Sequence, residues 1–89
     1  MLSNYYVSLA RASRKESNMY KHYYINCNQT LNPGLHHEVH TREHAIQLGI
    51  RSAQYVGYFA SEIEAVVQAK KIYVDADGCA TCCPKAHRG

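Results

Sequence analysis

Short aromatic runs separated by polar breaks dominate the first two thirds of the chain, and a helical period replaces them towards the end. Residues 20–27, Tyr-Lys-His-Tyr-Tyr-Ile-Asn-Cys, are rich in aromatic side chains with partial alternation, which predicts a strand. Asn32-Pro33-Gly34 is a turn signal. A second strand is expected from about Leu35 to Thr41, giving a hairpin with a rather long loop. If that second run is extended, His36, Glu38 and His40 share one face, while His37 and Val39 take the other. Residues 42–49 favour a short helical turn closed by Gly49. Tyr55-Val56-Gly57-Tyr58-Phe59, inside the run from Gln54 to Ala60, reads as a third strand.

The main helix is expected over about 61–73. Ser61-Glu62-Ile63-Glu64 has the form of a capping box, in which Ser61 accepts from the amide of Glu64 and Glu64 reaches back to that of Ser61. Ile63, Val66, Val67 and Tyr73 then supply an apolar face with Ala65 and Ala69 beside it. Glu62 and Glu64 at its start and Lys70 and Lys71 near its end suit the helix dipole. Asp75-Ala76-Asp77-Gly78 is turn chemistry that stops the helix and delivers Cys79 and Cys82.

Residues 1–19 carry one apolar patch, Tyr5-Tyr6-Val7, in an otherwise polar Ser/Arg/Asn-containing stretch. They read as a loose leader, with Met19 as a candidate true start and 20–89 as the folded domain. An 89-residue chain makes one domain whose core is marginal on its own, a size at which metals or disulfides commonly assist. Eight Tyr against one Phe and no Trp imply rings packed inside with hydroxyls near water, so Tyr20, Tyr23, Tyr24, Tyr55 and Tyr58 are expected to line the core and its rim. The net charge of +3 draws heavily on Arg11, Arg14 and Lys15 in the leader, so there is no basic stripe of the kind that marks a nucleic-acid binder.

Four cysteines fit two disulfides or a metal site, and the compartment decides between them. Met1 to Ala12 lack the pattern of a cleavable signal, and no apolar run approaches the length of a membrane span. The expectation is therefore a cytoplasmic chain with reduced thiols and no membrane partner, which favours metal. Cys79-x2-Cys82 lets one tight turn present two sulfurs. His40-x3-His44 places two imidazoles one helical turn apart or on either side of a strand-to-helix corner. Together they supply the four ligands of a closed tetrahedral zinc site, one structural Zn2+ held by His40, His44, Cys79 and Cys82. Cys83, His87, His36 and His37 stand close enough in sequence to be substitutes, whereas Cys27, Cys83 and His22 are expected to be structural.

His40-Thr41-Arg42-Glu43-His44 also matches H-x-x-E-H, a zinc-peptidase pattern in which the Glu is general base. Such an enzyme needs an open metal position and room to hold a peptide. With Cys79 and Cys82 available to close the site in so short a chain, the expectation is a non-enzyme.

From Lys21 to His87 the chain resembles a group of short, uncharacterised bacterial proteins. The shared segments are His37-Glu38-Val39-His40, Tyr55-Val56-Gly57-Tyr58-Phe59, the run Glu64 to Lys70, and Gly78-Cys79-Ala80-Thr81-Cys82-Cys83. More distantly the layout is similar to the zinc-binding domain of the Ada DNA-repair protein, where a Cys-x3-Cys or His-x3-Cys pair precedes a strand and helix and a Cys-x2-Cys pair closes the site. The resemblance implies that His40 and His44 take the first pair's places and Cys79 and Cys82 the second's. Position 44 is His where both groups tend to have Cys, and Ala86 stands where the short proteins often carry a further Cys. Ada's repair chemistry uses a zinc-bound cysteine of the first pair, so that chemistry is not expected here.

The expected protein is thus an α+β domain. It has a small three-stranded, mainly antiparallel sheet, one main helix at about 61–73 and a zinc-stabilised C-terminal turn. Its expected role is binding, with nucleic acid the leading partner, as the likeness to the Ada domain implies, and a protein the alternative.

Overall fold

The computed structural model describes residues 19–31 and 34–88; the leader and Asn32-Pro33 of the turn signal lie outside the described residues. Strands β1 (Lys21–Asn26), β3 (Leu35–Thr41) and β4 (Ala53–Phe59) form an antiparallel sheet with β1 in the middle. These are the three expected strands, β1 and β4 read from aromatic runs and β3 from its place after the turn signal. Two short strands extend them. β2 (Thr30–Leu31) pairs with the start of β3, and β5 (Ala76–Gly78) lies parallel to β3. The sheet therefore has five strands rather than three. The Asp75 to Gly78 stretch expected as turn chemistry contributes one of them, because an Ala-Asp-Gly run has little strand character until β3 offers it a hydrogen-bonding edge.

Helix α1 (Arg42–Gln47) follows β3 directly. Thr41 caps it, its hydroxyl accepting from the His44 amide at 3.3 Å, and Gly49 follows at φ +67°. Helix α2 (Glu62–Ala69) begins where expected but ends a turn early. The amides of Ile72 and Tyr73 both bond to the Ala69 carbonyl, at 2.8 and 3.0 Å, and the chain turns so that Ala76 can pair with His37. Ser61 Oγ accepts from Ile63 rather than Glu64, at 3.1 Å, so the cap forms one residue earlier than the box pattern implies. The buried face of α2 is Ala65, Val66 and Ala69, whereas Ile63 and Val67 are about half exposed. Small side chains let the helix lie close to the sheet, and the larger ones are left at the margin.

Under α2, Tyr23, Ile25 and Val39 from the sheet meet Ala65, Val66, Ala69, Ala76, Cys83 and Ala86. Five of these nine buried residues are Ala or Cys, so the apolar area withdrawn from water is modest for a chain that must order this much backbone. Burial of the Tyr23 phenol, followed by the nearby Cys83, pushes its pKa up to about 12. Of the other tyrosines expected at the core and its rim, Tyr20, Tyr55 and Tyr58 are about half exposed on the opposite face of the sheet. A bulge in β4 puts both Tyr55 and Tyr58 there: Tyr23 pairs with Gly57 but Tyr24 with Tyr55, leaving Val56 as the extra residue. Gly57 carries φ +153°, and a Cβ there would lie 2.7 Å from the Phe59 ring, so glycine is required at the bulge.

After β5 the chain folds over the sheet edge into a short 3-10 turn (Pro84–Ala86). The Glu62 carboxylate at the start of α2 accepts from the amides of Lys85 and Ala86, the latter at 3.2 Å. Gly78 makes the close approach possible, because an added Cβ would stand 2.8 Å from the Cys83 carbonyl oxygen and 3.0 Å from Ala86. Gly78→Ala is expected to destabilise the protein by about 1–3 kcal/mol through forced displacement of this turn. Urea unfolding checks it, and an unchanged midpoint would mean that the turn yields freely.

Candidate metal centre

Parallel pairing of β3 with β5 carries both strands towards the same end of the sheet. Val39 pairs with Gly78, and the Cys79 amide bonds to the Val39 carbonyl at 3.0 Å, so His40 and Cys79 leave the sheet side by side. The chain then turns into α1 after His40 and into a tight turn after Cys79. The first movement brings in His44, and the second, closed by the Cys83 amide on the Cys79 carbonyl at 2.8 Å, brings in Cys82. Of the two arrangements open to His40 and His44, the structure takes the strand-to-helix corner.

One ligand atom from each of His40, His44, Cys79 and Cys82 lies within 4.8 Å of the other three. Cys79 Sγ is 3.6 Å from His44 Nδ1, and Cys82 Sγ is 3.8 Å from His40 Nδ1. Zn–S bonds of 2.3 Å and Zn–N bonds of 2.0–2.1 Å at tetrahedral angles give a nitrogen-to-sulfur edge of about 3.6 Å. The two nitrogen-to-sulfur separations are close to such an edge, and the donor set fits zinc. His40 and Cys79 are buried, while His44 and Cys82 are partly exposed.

The surroundings suit ligation as well. Behind His40, Glu38 Oε1 lies 3.4 Å from Nε2, leaving Nδ1 turned to the sulfurs, the arrangement in which a carboxylate fixes the tautomer of a ligating imidazole. Both residues are buried, and strand alternation puts them on one face as the extended reading requires. The other carboxylate oxygen of Glu38 is 3.7 Å from His36 Nε2, which is in turn 3.9 Å from Asp77. Hydrogen bonds from Cys83, and then from His40 and the Thr41 amide, pull the Cys82 thiol down to about 3 against the effect of burial. Burial pushes Cys79 up, opposed by the amides of Cys82 and Thr81. The hydrogen bond with Cys82, together with burial, pushes the Cys83 thiol far up; the two sulfurs lie 3.7 Å apart.

The candidate substitutes are engaged elsewhere. Cys83 lies in the core. His37 is stacked on Tyr73, ring centroids 3.8 Å apart, with Nδ1 2.5 Å from Asp75. His87 Nδ1 bonds to the Gly78 carbonyl at 2.9 Å, and His36 faces the carboxylates of Glu38 and Asp77. All four cysteines are free thiols. Glu43, the would-be base of the H-x-x-E-H pattern, is exposed on the first turn of α1.

Glu38 is the functional residue that sequence reasoning missed; its signal was its place two residues before His40 on an alternating strand. Glu38→Gln is expected to lower zinc affinity about 10–100-fold while keeping the fold. Competition with a chromophoric chelator reads this, and wild-type affinity would show that the carboxylate does not hold the imidazole.

Fold and site together define a small α+β module with a His2Cys2 group suited to a metal ion. Comparison with protein-family models, curated proteins and solved structures returns no match, so the functional reading rests on this geometry alone.

Proposed function

We propose that the protein is a small zinc-binding module in which one Zn2+, held by His40, His44, Cys79 and Cys82, is structural, and that the module works by binding a partner. The carrying observation is the meeting of four N and S donors within 4.8 Å of one another, drawn from two chain segments far apart in sequence. Bound there, zinc supplies cross-linking rather than chemistry, and the deprotonation of its ligands couples metal uptake to folding. The small core supports this role, since burial alone provides little.

A structural role is favoured over a hydrolytic one because the two thiolates fill the positions that a water and a substrate would need, and Glu43 faces solvent. No helix among the described residues is long and apolar enough to cross a membrane. Free thiols suit the reducing cytoplasm, the compartment we propose. Nucleic acid is the favoured partner, a protein the alternative.

Elemental mass spectrometry on untagged protein tests the metal assignment. One zinc per chain is the expected result. Metal-free protein with a complete native fold under reducing conditions would overturn it.

A further inference from the structure

The sheet face opposite α2 carries a row of rings at its β1/β4 half. His22 and Tyr58 pack with centroids 4.5 Å apart, Tyr20 and Tyr58 at 5.3 Å, and Tyr24 and Tyr55 at 5.2 Å. His22 Nδ1 and the Tyr55 hydroxyl meet at 2.8 Å and tie the row together across the strands. Tyr20, Tyr55 and Tyr58 remain about half exposed. The row is a product of the β4 bulge, which turns both Tyr55 and Tyr58 to this face although they stand three residues apart. From Tyr20 to Tyr24 it runs roughly 13 Å.

At the Tyr24 end the row opens into a pocket of about 250 Å³. Ala45, Ile46 and Ile50 make its apolar wall, and Arg42 and Arg51 stand at it with no carboxylate in the lining. Both arginines are exposed, and among the described residues neither has an ion-pair partner. The surface therefore combines a row of mutually tilted, partly exposed rings, a largely apolar pocket and two exposed guanidinium groups at one end.

We propose that this face binds single-stranded nucleic acid. Bases stack along Tyr20, Tyr58, His22, Tyr55 and Tyr24, and Arg42 and Arg51 take the phosphates beside the pocket. The proposal rests on the binding-module reading above and names its partner and surface. Stacking uses the ring faces and leaves the tyrosine hydroxyls in water at the ring edges. An apolar protein partner would instead bury the hydroxyls of Tyr20, Tyr24 and Tyr58 and two guanidiniums without supplying their hydrogen bonds. A duplex keeps its base faces covered, so the rings select single strands.

Fluorescence anisotropy of the full zinc-loaded chain with a labelled oligothymidylate of about 12 nucleotides, at low salt, tests this, with a duplex of equal length as comparison. Wild type is expected to prefer the single strand. Tyr58→Ala is expected to weaken binding about tenfold or more while Tyr58→Phe, which keeps the ring, retains it. The double variant Arg42→Gln/Arg51→Gln, at exposed positions that leave the fold alone, is expected to flatten the dependence of log K on log salt by about one. Zinc content and thermal midpoint serve as fold controls. If the single strand binds but neither Tyr58→Ala nor the arginine variant changes it, or if the duplex binds more tightly, this face is the wrong surface while the nucleic-acid reading stands. If neither probe binds at low salt, the nucleic-acid reading falls with it and a protein partner takes its place.

Discussion

Removing the zinc with a chelator under reducing conditions is expected to unfold the domain rather than loosen it. Zinc held by Cys and His in small domains contributes an apparent 10–16 kcal/mol near neutral pH, whereas whole domains are stable by about 5–15 kcal/mol. This chain has little to set against that loss. Among the described residues, the largest fully buried aliphatic side chains are Ile25 and Val39. β5 is three residues long and has only β3 beside it. Without the tie from His40 and His44 to Cys79 and Cys82, the parallel pairing must hold against the entropy of closing the long crossover between β3 and β5. Circular dichroism during a thermal ramp, before and after chelation, reads the effect directly. A cooperative transition at an unchanged temperature in the stripped protein would show that the metal is not what holds the fold.

The second large effect separates the adjacent cysteines. Cys79→Ser and Cys82→Ser are each expected to lower zinc affinity by more than about 100-fold, beyond what loss of a supporting contact costs. Cys83→Ala is expected to keep one zinc per chain and to lose about 1 kcal/mol of stability from the small void left under α2. Neighbouring residues behave so differently because their side chains have different surroundings. Cys82 reaches the His40 imidazole, and Cys83 is fully buried among Ile25, Val39 and the alanines of α2. Metal stoichiometry and urea midpoints of the three variants decide the matter. Loss of zinc from Cys83→Ala with retention in Cys82→Ser would exchange their roles.

Much of the local architecture was legible in the chain. The aromatic runs marked β1 and β4, the Asn-Pro-Gly turn signal marked the approach to β3, Ser61 marked the start of α2, and Gly49 marked the end of α1. These features depend on the period of a strand and on the dihedral needs of a few residues, which act within a few positions. Alternation along β3 likewise put His36, Glu38 and His40 on one face. What stayed hidden depends on pairing between distant segments. Ala76 to Gly78 has turn-like residues and becomes a strand only because β3 lies open beside it. The helix ends after Ala69 because Tyr73 must reach His37 and Ala76 must enter the sheet. Ile63 and Val67 looked like core on a helical wheel, yet the sheet accepts the narrower alanine strip.

The same division runs through the site. Residue chemistry and spacing by themselves determined the donor types, the two half-sites and the four candidate ligands. Only the tertiary structure brought those four together while engaging His36, His37, His87 and Cys83 elsewhere, placed Glu38 behind His40, and sent one tyrosine into the core and others to an open face. The reason is physical. Spacing within a segment fixes what one turn presents, but a ligand shell and a surface are set by which segments become neighbours, and here the parallel β3–β5 pair and the β4 bulge make that choice.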